Sequence, residues 1–267
     1  MDKNTNIRTA FGIVILSLLL AILVGAGLVA LFTKILPNLN SSRISLLSMS
    51  ISTVIIGLPV IIYLHRKELS ISEHLRINKI SSNTFISIVL ISIGFIIIID
   101  ELDRIVYSLF GAPEYLQDLV EQLKITSIYS GFIIIVTTAI VAPIVEEMLF
   151  RGYLQKILED SWGDITKAIL VTSLFFALIH LNPYWIVQIY ILGMLLGYLS
   201  WRTNSILPGI ILHGLNNGFA VALNNAETVF NQYYNWHEHV NPIWIIIAII
   251  LIIFGFKMLN KDLENQS

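Results

Sequence analysis

The sequence predicts an all-α integral membrane protein of about eight transmembrane helices around a buried intramembrane site, and three observations carry that expectation. The 267 residues are 56% hydrophobic and only 13% charged, with a mean hydropathy of +0.79, which is too little polar surface to coat a water-soluble globule of that length. The apolar residues fall in runs of near twenty, the length that crosses about 30 Å of hydrocarbon at 1.5 Å per residue. The few ionisable residues inside those runs are gathered in one part of the chain.

Spans are expected near 11–33, 44–64, 84–100, 130–157, 164–182, 184–201, 206–223 and 242–258. The first is longer than the apolar core of a signal peptide and lacks a small-residue cleavage pattern after it, so it reads as a retained helix. The second ends in the polar loop 65–83. The third is short. It runs into ELDRIVYSLFGAPEYLQDLVEQLKITSI at 101–128, where charges and apolar residues alternate at helical spacing around Gly111-Ala112-Pro113. That pattern suits an amphipathic lid or rim at the outer interface. The fourth span is long, with a polar second half. The fifth, sixth and seventh follow with only brief turns, at Asp160–Gly163 and around Asn204. A polar connector, 224–241, precedes the eighth. Three regions result: N-terminal helices and interfacial segment (1–129), a core (130–223), and connector, last helix and tail (224–267). No internal repeat or second soluble domain is visible.

Basic residues orient the chain. Lys34, Arg43, Arg104 and Lys124 fall on one side of these spans and the remaining twelve of the 16 on the other, which places both termini in the cytoplasm of a multi-pass protein of the cell membrane. The net charge is -2 and no basic stripe with interleaved aromatics occurs, so nucleic acid is not an expected partner. The absence of cysteine removes disulfide frameworks, thiolate metal sites and cysteine nucleophiles.

Ionisable groups inside a bilayer cost a few kcal/mol each and are by default paired or functional. The fourth span contains VAPIVEEMLFR, with Glu146, Glu147 and Arg151. Glu147 and Arg151, at i and i+4 with the acid first, suit an intrahelical ion pair. Adjacent helical residues point about 100° apart, which leaves Glu146 to face elsewhere. Pro143 should bend the helix beside the acids. Phe176 and His180 share a face of the fifth span; His213 and Asn217 share one of the seventh. Each polar residue alone also suits plain helix packing. Depth favours one site: counted from the two turns, Glu146 and His180 lie about 21 and 26 Å into the membrane, His213 and Asn217 about 14 and 20 Å. A carboxylate and an imidazole can activate water, while a second His and an Asn can donate to an oxyanion. Alternatively Glu146, His180 and His213 could hold a divalent metal such as zinc. His237-Glu238-His239, in the polar connector, reads as interfacial loop.

The ordered set EExxxR, FxxxH and HxxxN on successive spans resembles the CPBP family, the CAAX proteases and bacteriocin-processing or Abi proteins that include Rce1-type endopeptidases. The resemblance covers residues 130 to about 220. It implies an intramembrane endopeptidase, glutamate-dependent or metal-dependent, acting on a membrane-associated peptide or protein. In it Glu146 and His180 would activate water, His213 and Asn217 would form the oxyanion site, and Glu147, Arg151 and Phe176 would support them. Ile-rich and cysteine-free, the chain reads as bacterial, where a prenylated substrate is not expected. The competing reading is a non-catalytic immunity or regulatory protein that binds a bacteriocin or another partner.

Overall fold

A computed structural model describes residues 6–226 and 232–265. Eight rods dominate: α1 (Ile7–Ile35), α2 (Ser41–Arg66), α3 (Ser82–Phe110), α4 (Ile128–Trp162), α5 (Ile165–Ile179), α6 (Ile186–Thr203), α7 (Leu207–Asn224) and α8 (Pro242–Glu264). They match the eight expected segments in order. Five of them, α1 to α4 and α8, are long and apolar enough to cross a membrane. The other three are shorter, and α6 and α7 carry Gln188, Arg202, His213, Asn216 and Asn217. Their apolar character is diluted by the side chains they turn inward. The chain is an all-α, multi-pass membrane protein.

Six of the eight rods start where a side chain can satisfy the free N–H groups of the first turn. Asn6, Asn40, Ser81, Asp164 and Asn241 accept from Arg8, Arg43, Thr84, Lys167 and Ile243 respectively. Ser127 and Ser130 cap α4 reciprocally. The two expected turns end their helices in left-handed residues, Gly163 at φ 63° and Asn204 at φ 48°, conformations in which Gly and Asn are favoured. Gly57 interrupts α2, with Pro59 in the turn that follows.

Large apolar side chains cover the outside: Leu19, Ile22 and Leu23 on α1, and Ile246, Ile250 and Phe254 on α8, are all exposed. Such a surface requires lipid as its solvent. Inside, α1, α2, α4 and α5 share a core of Val14, Val60, Leu149, Phe150, Leu154 and Phe176. A second core, with Ile88, Ile91, Leu196, Leu212 and Leu259, joins α3, α6, α7 and α8. Small residues allow the closest approaches. A Cβ on Gly94 of α3 would sit 2.5 Å from the Ala248 carbonyl of α8, so only glycine fits there, as is common between membrane helices.

The loops differ from expectation in two places. The third helix runs unbroken to Phe110 and ends at Gly111, so the first ten residues of the expected interfacial segment belong to it. Only Tyr115–Gln122 forms a separate short helix. The connector contains a small hairpin, Asn235–Trp236 paired antiparallel with His239–Val240, docked on the end of α3 through Glu101. That carboxylate accepts from the Val240 N–H at 2.8 Å and contacts His239 Nδ1 at 2.7 Å.

Candidate active site

The helix that carries the acids is not a plain α-helix. Residues Val136–Val141 and Met148–Gln155 are wound as π-helix on either side of Ala142–Glu147. Pro143 accounts for the first distortion. In that register the Ala142 N–H bonds to the Thr137 carbonyl, five residues back, and the next donor in the series would be the N–H that Pro143 lacks. The Thr138 carbonyl is thereby left open on the helix side. Asn217 of α7 donates to it through Nδ2 at 3.0 Å. Gly214, one turn earlier, lets α7 approach, since a Cβ there would lie 2.6 Å from the Ala139 carbonyl. Proline, π-turn, glycine and asparagine together dock α7 onto α4.

Glu147 and Arg151 are paired as expected, Nη1 to Oε1 at 2.9 Å, with both side chains fully buried. The same Glu147 oxygen also meets His213 Nδ1 at 3.0 Å. A carboxylate paired with arginine is an acceptor only, so Nδ1 donates and Nε2 is turned the other way. Nε2 faces Glu146, whose Oε2 lies 3.9 Å away. Glu147 thus makes the ion pair with Arg151 that the i, i+4 spacing predicts, and it does more: it orients His213. Nothing in the sequence signals that contact, because it joins residues 66 positions apart. Gly209 makes it possible, since a Cβ there would lie 2.6 Å from Glu147 Oε2.

His180 caps the C-terminus of α5 rather than sitting within it. Its Nδ1 lies 2.7 Å from the Phe176 carbonyl. A carbonyl can only accept, so Nδ1 carries the proton and Nε2 of the neutral ring is an acceptor. Phe176 is the hub: its ring lies edge-on to His180 and His213, at 4.8 and 5.8 Å between centroids, and takes the Arg151 guanidinium over its face at 4.2 Å.

His180, His213 and Asn217 line one cavity of about 330 Å³ together with Phe176, Asp103, Gln188 and Trp185, whereas Glu146 is not among its lining residues. Glu146 Oε2 is buried with no hydrogen-bond partner among the described residues, an expensive state for a carboxylate oxygen unless something else binds it. Asp103 and Gln188 were not singled out in the sequence. Asp103 lies in the stretch that read as interfacial, and Gln188 is a lone polar residue on an apolar helix. Ile96 and Phe219 separate this cavity from a larger apolar one of about 840 Å³ between α3, α7 and α8.

Among the described residues no group of three His, Asp or Glu side chains is arranged to hold an ion, so Glu146, His180 and His213 are not brought together as a three-ligand set. Each of these two histidines spends Nδ1 on Phe176 or Glu147 and leaves Nε2 free, an orientation that metal-bound histidines also adopt.

Residues 128–219 match the model of the Rce1-like family, described as type II CAAX prenyl endopeptidase Rce1-like. Over that stretch the chain is similar to the CPBP/CAAX proteases. Within the matched stretch fall α4 to α6 and most of α7, so every residue of EExxxR, FxxxH and HxxxN lies inside the match, whereas α1 to α3 and α8 lie outside it. No curated protein and no solved structure matches the chain.

Proposed function

We propose that this protein is an intramembrane endopeptidase that hydrolyses a peptide bond in a membrane-associated peptide or protein without a metal. Water is deprotonated by the Glu146 carboxylate, assisted by His180 Nε2, and its oxygen adds to the scissile carbonyl. Asn217 uses one amide N–H on Thr138 and has its second for the oxyanion. His213 adds Nε2–H when its ring carries both protons. The proton taken from water is returned to the amide nitrogen as the C–N bond breaks. Glu147 and Arg151 act as positioning residues for His213.

The observation that carries this reading is the division of proton roles about His213: an unpartnered buried oxygen on Glu146, 3.9 Å from His213 Nε2, with an acceptor nitrogen on His180 and a donor amide on Asn217 lining the same cavity as His213. The adjoining apolar cavity suits a substrate that arrives through lipid. By charge bias both termini lie in the cytoplasm of a bacterial cell, and all eight rods are taken to span. The turn at Asn204 and the loop after α2 share that side, since Asn78 Nδ2 donates to the Asn204 carbonyl at 2.6 Å.

The test is cleavage of a quenched membrane-peptide library by the purified protein in lipid. Glu146→Gln and His180→Ala should each lower turnover by about 10²–10⁴-fold with unchanged elution profile and thermal midpoint. Full turnover in Glu146→Gln overturns the mechanism. If the variants instead keep the cellular phenotype of the wild type, the protein acts by binding a bacteriocin or partner.

A further inference from the structure

The site cavity also holds polar groups that this chemistry does not use. Asp103 of α3 accepts through Oδ1 from Trp185 Nε1 at 3.0 Å and from Gln188 Nε2 at 3.1 Å. Because the carboxylate can only accept, Gln188 must present its amide nitrogen to Asp103 and its carbonyl oxygen elsewhere. That oxygen is buried without a hydrogen-bond partner among the described residues, on a side chain that is only 4% exposed. The nearby cation makes its hydrogen bonds elsewhere: Arg104 directs Nε to Asp100 and Nη2 to Asn235, each at 3.0 Å. The Trp185 N–H and one N–H of Gln188 are thus spent on Asp103. Asp103 and Gln188 line the same cavity as His180, His213 and Asn217, and they bring to it a carboxylate charge and a carbonyl oxygen that has no hydrogen-bond partner among the described residues.

We propose that Asp103 and Gln188 form a recognition subsite for a cationic group of the substrate, either its free α-ammonium or the side chain of a lysine or arginine beside the scissile bond. An ammonium or guanidinium brings several N–H donors and the opposite charge, and so satisfies both acceptors at once. A neutral apolar group would leave both desolvated and unpaired, which a site built on hydrogen bonds rejects strongly. The subsite rests on the proteolytic reading above and deepens it, fixing which chemistry the peptide must carry at one end.

The test compares peptides that differ in one charge. One pair has lysine against norleucine beside the scissile bond; the other has a free against an acetylated N-terminus. With the full chain in lipid, kcat/KM should favour the cationic member of one pair by about 10-fold or more, and which pair does so tells side chain from terminus. Asp103→Asn keeps an oxygen for Trp185 and Gln188 but loses the charge, and should lower that ratio about 10-fold. Asp103→Glu should restore much of it, and Gln188→Leu should lower it independently. A ratio that Asp103→Asn leaves unmoved overturns the subsite, while the absence of any cleavage by the wild type overturns the proteolytic reading instead. To keep the two apart, peptide binding is measured by anisotropy on the Glu146→Gln background. There the cationic peptide should bind about 10-fold more weakly once Asp103→Asn is added, and equal binding overturns the subsite whatever the turnover assay gives.

Discussion

At Gly209 the absence of a side chain is what lets Glu147 reach both Arg151 and His213. A methyl group there would lie 2.6 Å from a fully buried carboxylate oxygen, and the pair has no solvent into which to retreat. Gly209→Ala should therefore displace Glu147 and cost about 1–3 kcal/mol, read as a lower thermal midpoint, with lower turnover because His213 loses its orientation. An unchanged midpoint and rate would mean that Glu147 is free to move. Of the residues in the site, those related by four positions were visible in the sequence: Glu147 with Arg151, Phe176 with His180, His213 with Asn217. Local geometry fixes such pairs. Glu147 with His213, and Asp103 with Gln188, were not visible, because each pair is joined only by packing.

Helix α4 owes its function to a break in its own ladder. Pro143 supplies no N–H, the π-turn before it leaves the Thr138 carbonyl open, and Asn217 occupies that carbonyl. Pro143→Ala should restore a backbone donor that competes for Thr138 and loosens Asn217. We expect a fall in kcat of about 10-fold or more with little loss, or a gain, in thermal stability. A variant as fast as the wild type would detach Asn217 from its helix anchor as an element of catalysis. The sequence pointed to the bend but not to its partner. Helix α5 also departs from its expected form: its 15 residues extend only about 22 Å, less than the roughly 30 Å of hydrocarbon. His180 can therefore lie at a helix end and still remain at membrane depth, close to the end of the span expected at 164–182.

Across the whole molecule a buried polar ladder runs down α4, at steps of four, from the site to the loop after α2. Glu147 holds Arg151, Arg151 Nη2 donates to the Gly193 carbonyl, and Gln155 Nε2 donates to the Gly197 carbonyl and to Glu159. Glu159 then pairs with Arg76. Gly193 and Gly197 of α6 let the helices approach closely enough for these bonds. Arg76 and Glu159 are each 7% exposed at the side chain, so Arg76→Ala should leave a buried charge unpaired and cost about 3–5 kcal/mol. Adding Glu159→Ala should recover part of that loss in a double-mutant cycle. If the double variant is as unstable as the sum of the singles, the pair is not coupled.

Composition and the length of the apolar runs determined the membrane fold, since a bilayer-crossing helix must satisfy its backbone internally whatever surrounds it. Periodicity determined which polar residues share a helix face, and turn positions gave their common depth. Only the tertiary structure decided that Glu147 orients His213, that α3 carries Asp103 into the cavity, and that Asn217 completes a carbonyl which Pro143 leaves open. Those contacts join residues that a one-dimensional pattern treats as independent, and they exist because close helix packing at glycine brings distant segments within hydrogen-bond reach.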